Sequence, residues 1–229
     1  MLIRGNSSNN NLTGTADADE IFGFNGNDHL IGAGGNDRIF GGRHADHLDG
    51  QAGDDLLNAG TGHDAAHAGA GNDTIYGGGG NDEITGGDGS DRVSGGSGTD
   101  ELNGGRGFDT LFGGLGDDEL EGDGGGDRLV AGEGDDTLDG GTGADVLVGG
   151  AGADVFEFDA GGGRDRIDDF EFGVDRIDFE EFEFADLAAA LAVATEEGDD
   201  VVFALDTTSE VTIRNASIAD FSETDFILG

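Results

Sequence analysis

A large apolar side chain recurs every nine residues through the first two thirds of the chain. The positions are Ile21, Leu30, Ile39, Leu48, Leu57, Ile75, Ile84, Val93, Leu102, Leu111, Leu120, Leu129, Leu138, Leu147 and Phe156, with Ala66 as the one small member of the series. Neither the 3.6-residue period of a helix nor the two-residue alternation of a long strand produces this spacing. It calls for one inward-facing position per short segment, followed by a turn. The polar positions keep the same beat. Two residues before each apolar position stands an aspartate: Asp19, Asp28, Asp37, Asp46, Asp55, Asp64, Asp73, Asp82, Asp91, Asp100, Asp109, Asp118, Asp127, Asp136, Asp145 and Asp154, without insertion or deletion. Two residues before each of these is Gly, except where Asp17 and His44 stand. The repeat is Gly-Gly-x-Gly-x-Asp-x-U-x, with U large and apolar.

Each nonapeptide reads as a glycine turn, Gly-Gly-x-Gly-x, where positive φ or close backbone approach is needed, followed by a short strand, Asp-x-U-x. The U side chain points inward and its neighbours point out. Two nonapeptides form a coil of 18 residues, and coils stacked about 4.8 Å apart build a parallel β-roll, an all-β right-handed solenoid with two short sheets. Aspartates eighteen apart then stack in two rows, one from Asp19 through Asp37 to Asp145 and one from Asp28 through Asp46 to Asp154. Carboxylates about 5 Å apart repel by roughly 3 kcal/mol at an effective dielectric near 20. The rows therefore need counter-ions. Hard divalent cations that accept carboxylate and carbonyl oxygen fit, and Ca²⁺ tolerates an irregular cage of about 6–8 oxygens better than Mg²⁺ does.

Candidate ligands are the sixteen aspartates together with turn glycines, most regular between Asp73 and Asp118: Gly69, Gly71, Gly78, Gly80, Gly87, Gly89, Gly96, Gly98, Gly105, Gly107, Gly114 and Gly116. One Ca²⁺ per gap in the two rows gives up to about 14 ions, which would move the formal charge from −41 to −13. Weaker sites are expected where the glycine pattern lapses: Thr15–Ala18 before Asp19, Gly42–Ala45 before Asp46, and Asp123 before Asp127.

Composition sharpens this picture. The 51 acidic residues face only ten basic ones, all Arg, so nucleic acid and anionic membrane surfaces are expected to be repelled. Forty-nine Gly, strong acidity and few aromatics would suit a disordered chain, but disorder does not require an apolar residue at every ninth position. The absence of Cys suits an extracellular protein that does without disulfides. Met1–Gly5 is followed by Asn and Ser with no apolar run, so no ordinary signal peptide is expected. No stretch approaches the ~20 apolar residues of a membrane span.

Three regions are expected. Residues 1–13 form a polar lead-in, with Asn9-Asn10-Asn11 as loop or fraying coil; residues 14–158 form the roll; residues 159–229 form a cap. Only six of the 49 Gly follow Phe156, whereas ten of the fifteen Phe lie from Phe156 onward. In the cap, Phe156–Phe158, Arg166–Phe170 and Arg176–Phe179 alternate like strands. Asp186–Thr195 reads as a short helix capped by Asp186, and Val201–Leu205 with Glu210–Ile213 reads as a hairpin. Such a unit would cover the open edge of the last coil.

The nonapeptides resemble the repeats-in-toxin, or haemolysin-type, calcium-binding repeats. The segments Gly152–Phe156, Asp165–Phe170 and Gly173–Asp178, with Gly198–Val201, Ala219–Phe221 and Asp225–Leu228, resemble the C-terminal domain of serralysin-type secreted metalloproteases. The resemblance implies that repeat aspartates and turn carbonyls coordinate Ca²⁺ between coils. It also implies that the C-terminal region carries an uncleaved signal for type I secretion, and that the chain folds in calcium outside the cell.

Relatives of this kind often carry enzymes, but no His-Glu-x-x-His or Gly-x-Ser-x-Gly occurs, and Gly95–Thr99 comes nearest to the second. In the pairs Asp54-Asp55, Asp117-Asp118 and Asp135-Asp136, the second Asp belongs to the repeat, which argues against acid/base dyads. His29 and His47 would stack on one outer face and could hold Zn²⁺ or Ni²⁺, though surface imidazoles are the plainer reading. Phe24, Phe40, Phe108 and Phe112 occupy outward positions. Arg38, Arg92 and Arg128 read as surface charge balance, thirty-six or more residues apart and too sparse for a patch. The expected function is a non-enzymatic, secreted calcium-binding roll. The alternatives are a polysaccharide-binding accessory module like that of alginate epimerases, or a self-associating matrix protein.

Overall fold

The apolar beat fixes the architecture. In the computed structural model, which describes residues 1–228, every U position from Ile21 to Phe156 is buried at 0–4% exposure, and these side chains form one continuous column. The chain winds as a parallel β-roll. One sheet runs through Leu2–Arg4, Glu20–Asn25, Arg38–Arg43 and onward to Val146–Ala151; the other runs through Asn11–Thr13, His29–Gly34, His47–Ala52 and onward to Val155–Glu157. Register is eighteen residues throughout, as in Ile39↔Leu57↔Ile75 and Leu48↔Ala66↔Ile84. Ala66 is the thin place in the column.

The strands are longer than expected and the turns shorter. Thr74–Gly79, for example, starts one residue after Asp73 and includes the Gly-Gly pair that the sequence assigns to the turn. Gly77 faces inward, where a Cβ would lie 2.5 Å from Asp82 Oδ2 and 2.7 Å from the Gly95 carbonyl oxygen. Little more than hydrogen fits there, and Ala59, Ala68 and Ala131 are the bulkiest residues in that column until Phe158 ends it. Gly78 has φ +110° yet stays paired with Gly60 and Gly96. A side chain at that φ would be strained. The pair therefore lies within the sheet, and only about three residues turn the corner.

The lead-in is also corrected. Instead of fraying, Leu2–Arg4 and Asn11–Thr13 pair in parallel with Glu20–Asn25 and His29–Gly34. Ile3 and Leu12 continue the apolar column, packing against the core. Asn10 stands where the next aspartate would stand, and its backbone N–H reaches Asp28 Oδ1 at 2.7 Å.

Both sheets continue into the cap. Arg164–Ile167 pairs with Val146–Ala151, and Arg176–Asp178 pairs with Val155–Glu157. The first sheet then takes in Glu210–Ile213 and ends in the antiparallel strands Asp200–Ala204 and Ala194–Glu197. The helix covers only Leu187–Leu191, with Asp186 Oδ1 accepting the Ala189 N–H at 2.9 Å. The expected helical turn at Ala194–Thr195 is replaced by the start of the strand Ala194–Glu197, because Val201–Phe203 offers it a pairing edge. The cap core is aromatic: Phe156, Phe158, Phe170, Phe172, Phe179, Phe182, Phe184, Phe203, Phe221 and Phe226 form one network with ring centroids 5.0–6.3 Å apart. Gly229, the last residue of the expected cap, lies outside the described residues. Among the described residues no helix is long and apolar enough to cross a membrane.

Candidate metal centre

The turn brings each aspartate to the seam between two coils. Its Oδ1 accepts the backbone N–H of the aspartate eighteen residues earlier, as in Asp73 N–H to Asp91 Oδ1 at 2.8 Å and Asp82 N–H to Asp100 Oδ1 at 2.9 Å. Fourteen such bonds, all 2.7–3.0 Å, join Asp19 through Asp154 into the two expected rows. The sixteen aspartates are buried at 1–4% exposure.

The second oxygen is different. In fifteen of the aspartates, Asp28 through Asp154, Oδ2 is shut away from solvent and has no hydrogen-bond partner. A buried carboxylate oxygen without a donor costs several kcal/mol unless a cation meets it or a proton neutralises it. The titration behaviour follows. Burial, aided by neighbouring aspartates, pushes the carboxyls of Asp46, Asp55, Asp118 and Asp145 up to about 7. Burial likewise raises Asp73, Asp82, Asp109, Asp127 and Asp154 to about 6. Asp19 stands apart: the Met1 ammonium meets Oδ1, the Thr15 N–H and hydroxyl meet Oδ2, and its pKa is lowered.

Backbone carbonyls are the other oxygens the turns offer. Gly69, Gly71, Gly78, Gly80, Gly87, Gly89, Gly96, Gly98, Gly105, Gly107, Gly114 and Gly116 all take positive φ. Their carbonyl oxygens turn toward the next coil, so that a Cβ at Gly78 would sit on the Gly60 oxygen and one at Gly98 on the Gly80 oxygen. Among the described residues, the carbonyls of Gly71, Gly80, Gly89, Gly98 and Gly116 accept no hydrogen bond. The turns at Gly71, Gly80, Gly89, Gly98 and Gly116 thus combine an orphaned carboxylate oxygen with an unused carbonyl oxygen. Among the described residues no three His, Cys, Asp or Glu side chains gather around one point. A cation in these turns would be held by paired carboxylates and carbonyls, an all-oxygen set that suits a hard ion such as Ca²⁺.

The ladder runs further than the nine-residue count. Asp145 N–H donates to Asp165 Oδ1 at 3.0 Å and Asp154 N–H to Asp175 Oδ1 at 3.1 Å, across 20 and 21 residues. Asp165 and Asp175 are buried, and burial raises both carboxyls. A count of nine misses them because the coil lengthens. The signal that survives is Asp-x-U itself, as Asp165-Arg166-Ile167 and Asp175-Arg176-Ile177. His29 and His47 do lie one above the other on an outer face, edge-to-face with ring centroids 4.9 Å apart. The arginines behave differently from simple charge balance: Arg38 lies 5.9 Å over the Phe40 ring and Arg92 lies 4.3 Å over Phe112.

The family comparison agrees with this geometry. The family model for the RTX calcium-binding nonapeptide repeat matches in overlapping copies at residues 4–39, 31–66, 58–93, 67–102, 94–129, 121–156 and 130–167. Among solved structures, the chain is similar to the extracellular lipase LipA from Serratia marcescens, with 22% identity, a TM-score of 0.45 and 94% of this chain covered. The chain spans 39% of that lipase's length. It is also similar to the AlgE6R3 subunit of the Azotobacter vinelandii mannuronan C5-epimerase, with 26% identity, a TM-score of 0.27, and coverage of 65% of this chain and 78% of that one. No curated protein sequence matches it. With repeat matches spanning residues 4–167, the chain belongs to the RTX calcium-binding nonapeptide repeat family.

Proposed function

We propose that this chain is a secreted, non-catalytic calcium-binding module whose roll folds as Ca²⁺ fills the seams between its coils. One observation carries the reading: fifteen buried Oδ2 atoms lack any donor. Ionised and unmatched, they oppose folding; matched by cations, they tie coil to coil. The bound ion supplies positive charge to the seam. The chain's own part is to hold the ladder carboxylates and the glycine carbonyls in register, from Asp28 to Asp154. Asp165 and Asp175 extend the same arrangement, so the fourteen gaps between the sixteen repeat aspartates become sixteen at most.

The extracellular setting follows from affinity. Sites of modest strength, with Kd of about 10⁻⁴–10⁻³ M, fill in the calcium outside cells and stay empty in a calcium-poor cytosol. The chain would then cross a type I export route unfolded and fold on arrival. The absence of a catalytic role is supported by the carboxylates themselves, which repeat alike through every turn instead of converging on one pocket. A calcium titration followed by far-UV circular dichroism tests the proposal, with Mg²⁺ as control. The expected result is a cooperative gain of β signal with Ca²⁺ and little with Mg²⁺. A chelated sample that keeps its β signal would overturn it.

A further inference from the structure

The two outer faces of the roll have opposite chemistry. The nine strands of the first sheet from Leu2–Arg4 to Val146–Ala151 carry five Arg (Arg4, Arg38, Arg43, Arg92 and Arg128) against two Glu. The nine strands of the second sheet from Asn11–Thr13 to Val155–Glu157 carry nine acidic residues against one Arg. In a chain with 51 acids, half of its ten Arg sit on one face, and among the described residues none of those five pairs with a carboxylate.

Aromatic rings lie between them. Phe22 and Phe40 stack at 4.9 Å with planes 8° apart, Arg4 lies over Phe22, and Tyr76 is 41% exposed. Arg, Tyr and Phe without Lys is the composition of an interface core. On the opposite face, Glu83, Glu101 and Glu119 stand directly opposite one another on adjacent strands. Like charges in that position destabilise a sheet.

We infer that the Arg-aromatic face of one roll docks on the acidic face of a second copy. The match is one of spacing as well as sign. Arg92 and Arg128 are two strands apart, through Thr110, as are Glu83 and Glu119 through Glu101. Both pairs therefore repeat at about 9.6 Å, twice the strand separation. Two coils of one roll thus meet two of the other, which neutralises the stacked glutamates and gives the unpaired guanidinium groups their carboxylates. The contact is heterologous, so it leaves one face of each kind free at the ends and builds an open array.

Sedimentation velocity on the full chain in saturating Ca²⁺ tests this. At about 0.03 M ionic strength, set by the saturating Ca²⁺ itself and giving a Debye length of about 18 Å, species larger than a dimer are expected; at 1 M salt, where it is about 3 Å, they are expected to be lost. R92E/R128E and E83R/E119R should each sediment as monomers, and an equimolar mixture should associate again, because each supplies the face the other lacks. Circular dichroism on every sample reports the calcium-dependent fold separately, so a failure to fold is not mistaken for a failure to dock. Three results would each overturn the inference: a wild-type chain that stays folded and monomeric at low salt, association indifferent to R92E/R128E, or a mixture of the two variants that stays monomeric. A folded monomer whose Arg face instead binds an alginate oligomer would assign that face to an anionic polymer.

Discussion

The roll and the cap share two sheets but are held together by different forces. Between Gly14 and Phe158 each coil contributes two apolar side chains to a column one residue wide, and its seams hold buried carboxylates. Beyond Phe158 the ladder ends within two strands, and eight phenylalanines close with Phe156 and Phe158 into a network around Phe179 and Phe203. Under the proposed function, one region depends on ions from outside, while the other is closed by its own aromatic burial. The sequence changes from glycine to phenylalanine where that dependence changes.

Chelation breaks the comparison most completely. Removing Ca²⁺ leaves fifteen unmatched oxygens in the seams, and the roll is expected to lose its β signal altogether, measured by far-UV circular dichroism. Phe179→Ala strikes the cap instead. Phe179 is fully buried against Phe158, Phe182, Phe184, Phe203 and Phe226, so its loss is expected to cost about 3–5 kcal/mol, read from denaturant unfolding in saturating Ca²⁺. Asp91→Asn keeps an oxygen for the Asp73 N–H but removes a ladder charge. The expected results are about 1–3 kcal/mol less stability and fewer bound ions by equilibrium dialysis, with the cap unchanged.

The smallest effect is one of pH, and its sign differs with and without metal. Without calcium, burial penalises the charged form and pushes Asp46 and Asp55 up to about 7 and Asp73 and Asp82 to about 6 in the fold, against 3.8 for the ordinary carboxyl. It raises the other ladder carboxyls from Asp28 onward in the same direction. The metal-free roll is therefore most tolerable below the unfolded value and loses that protonation advantage as pH rises toward 7. Calcium needs the ionised form, so the trend reverses in its presence. Half-saturating Ca²⁺, measured by isothermal titration at pH 5, 6 and 7, is expected to rise by about tenfold per site as pH falls, at 1.4 kcal/mol for each tenfold. The cap, with no ladder of its own beyond Asp165 and Asp175, should show little of this.

Much of the roll could be read from one chain because its constraint is local and repeated. Asp, U and the turn glycines obey one period, and Leu57 or Asp91 lands where that period puts it. The first coil was hidden because Asn10 replaces the expected aspartate, although Ile3, Leu12 and Ile21 keep the nine-residue beat. Asp165 and Asp175 were hidden by coils of 20 and 21 residues, which a fixed count steps over. The role of the glycine pair was misassigned, since nothing in the sequence says that Gly77 must make room for an aspartate from the following turn. The Arg face was hidden for a geometric reason. Residues 36 apart look scattered along a line, yet they lie two strands apart once the line is coiled.

The ladder bonds all point the same way. Each ladder aspartate's N–H is satisfied by the ladder carboxylate of the coil after it, and the final pair is supplied by Asp165 and Asp175 at the cap, whereas the corner N–H groups of Asn72, Asp135 and Ala153 reach back to carboxylates of the coil before. The ladder is in that sense a zip whose slider sits at the carboxyl end: each ladder N–H needs the coil that follows it. Trimming coils from the amino end should leave a shorter working zip, whereas trimming from the other end takes away the slider.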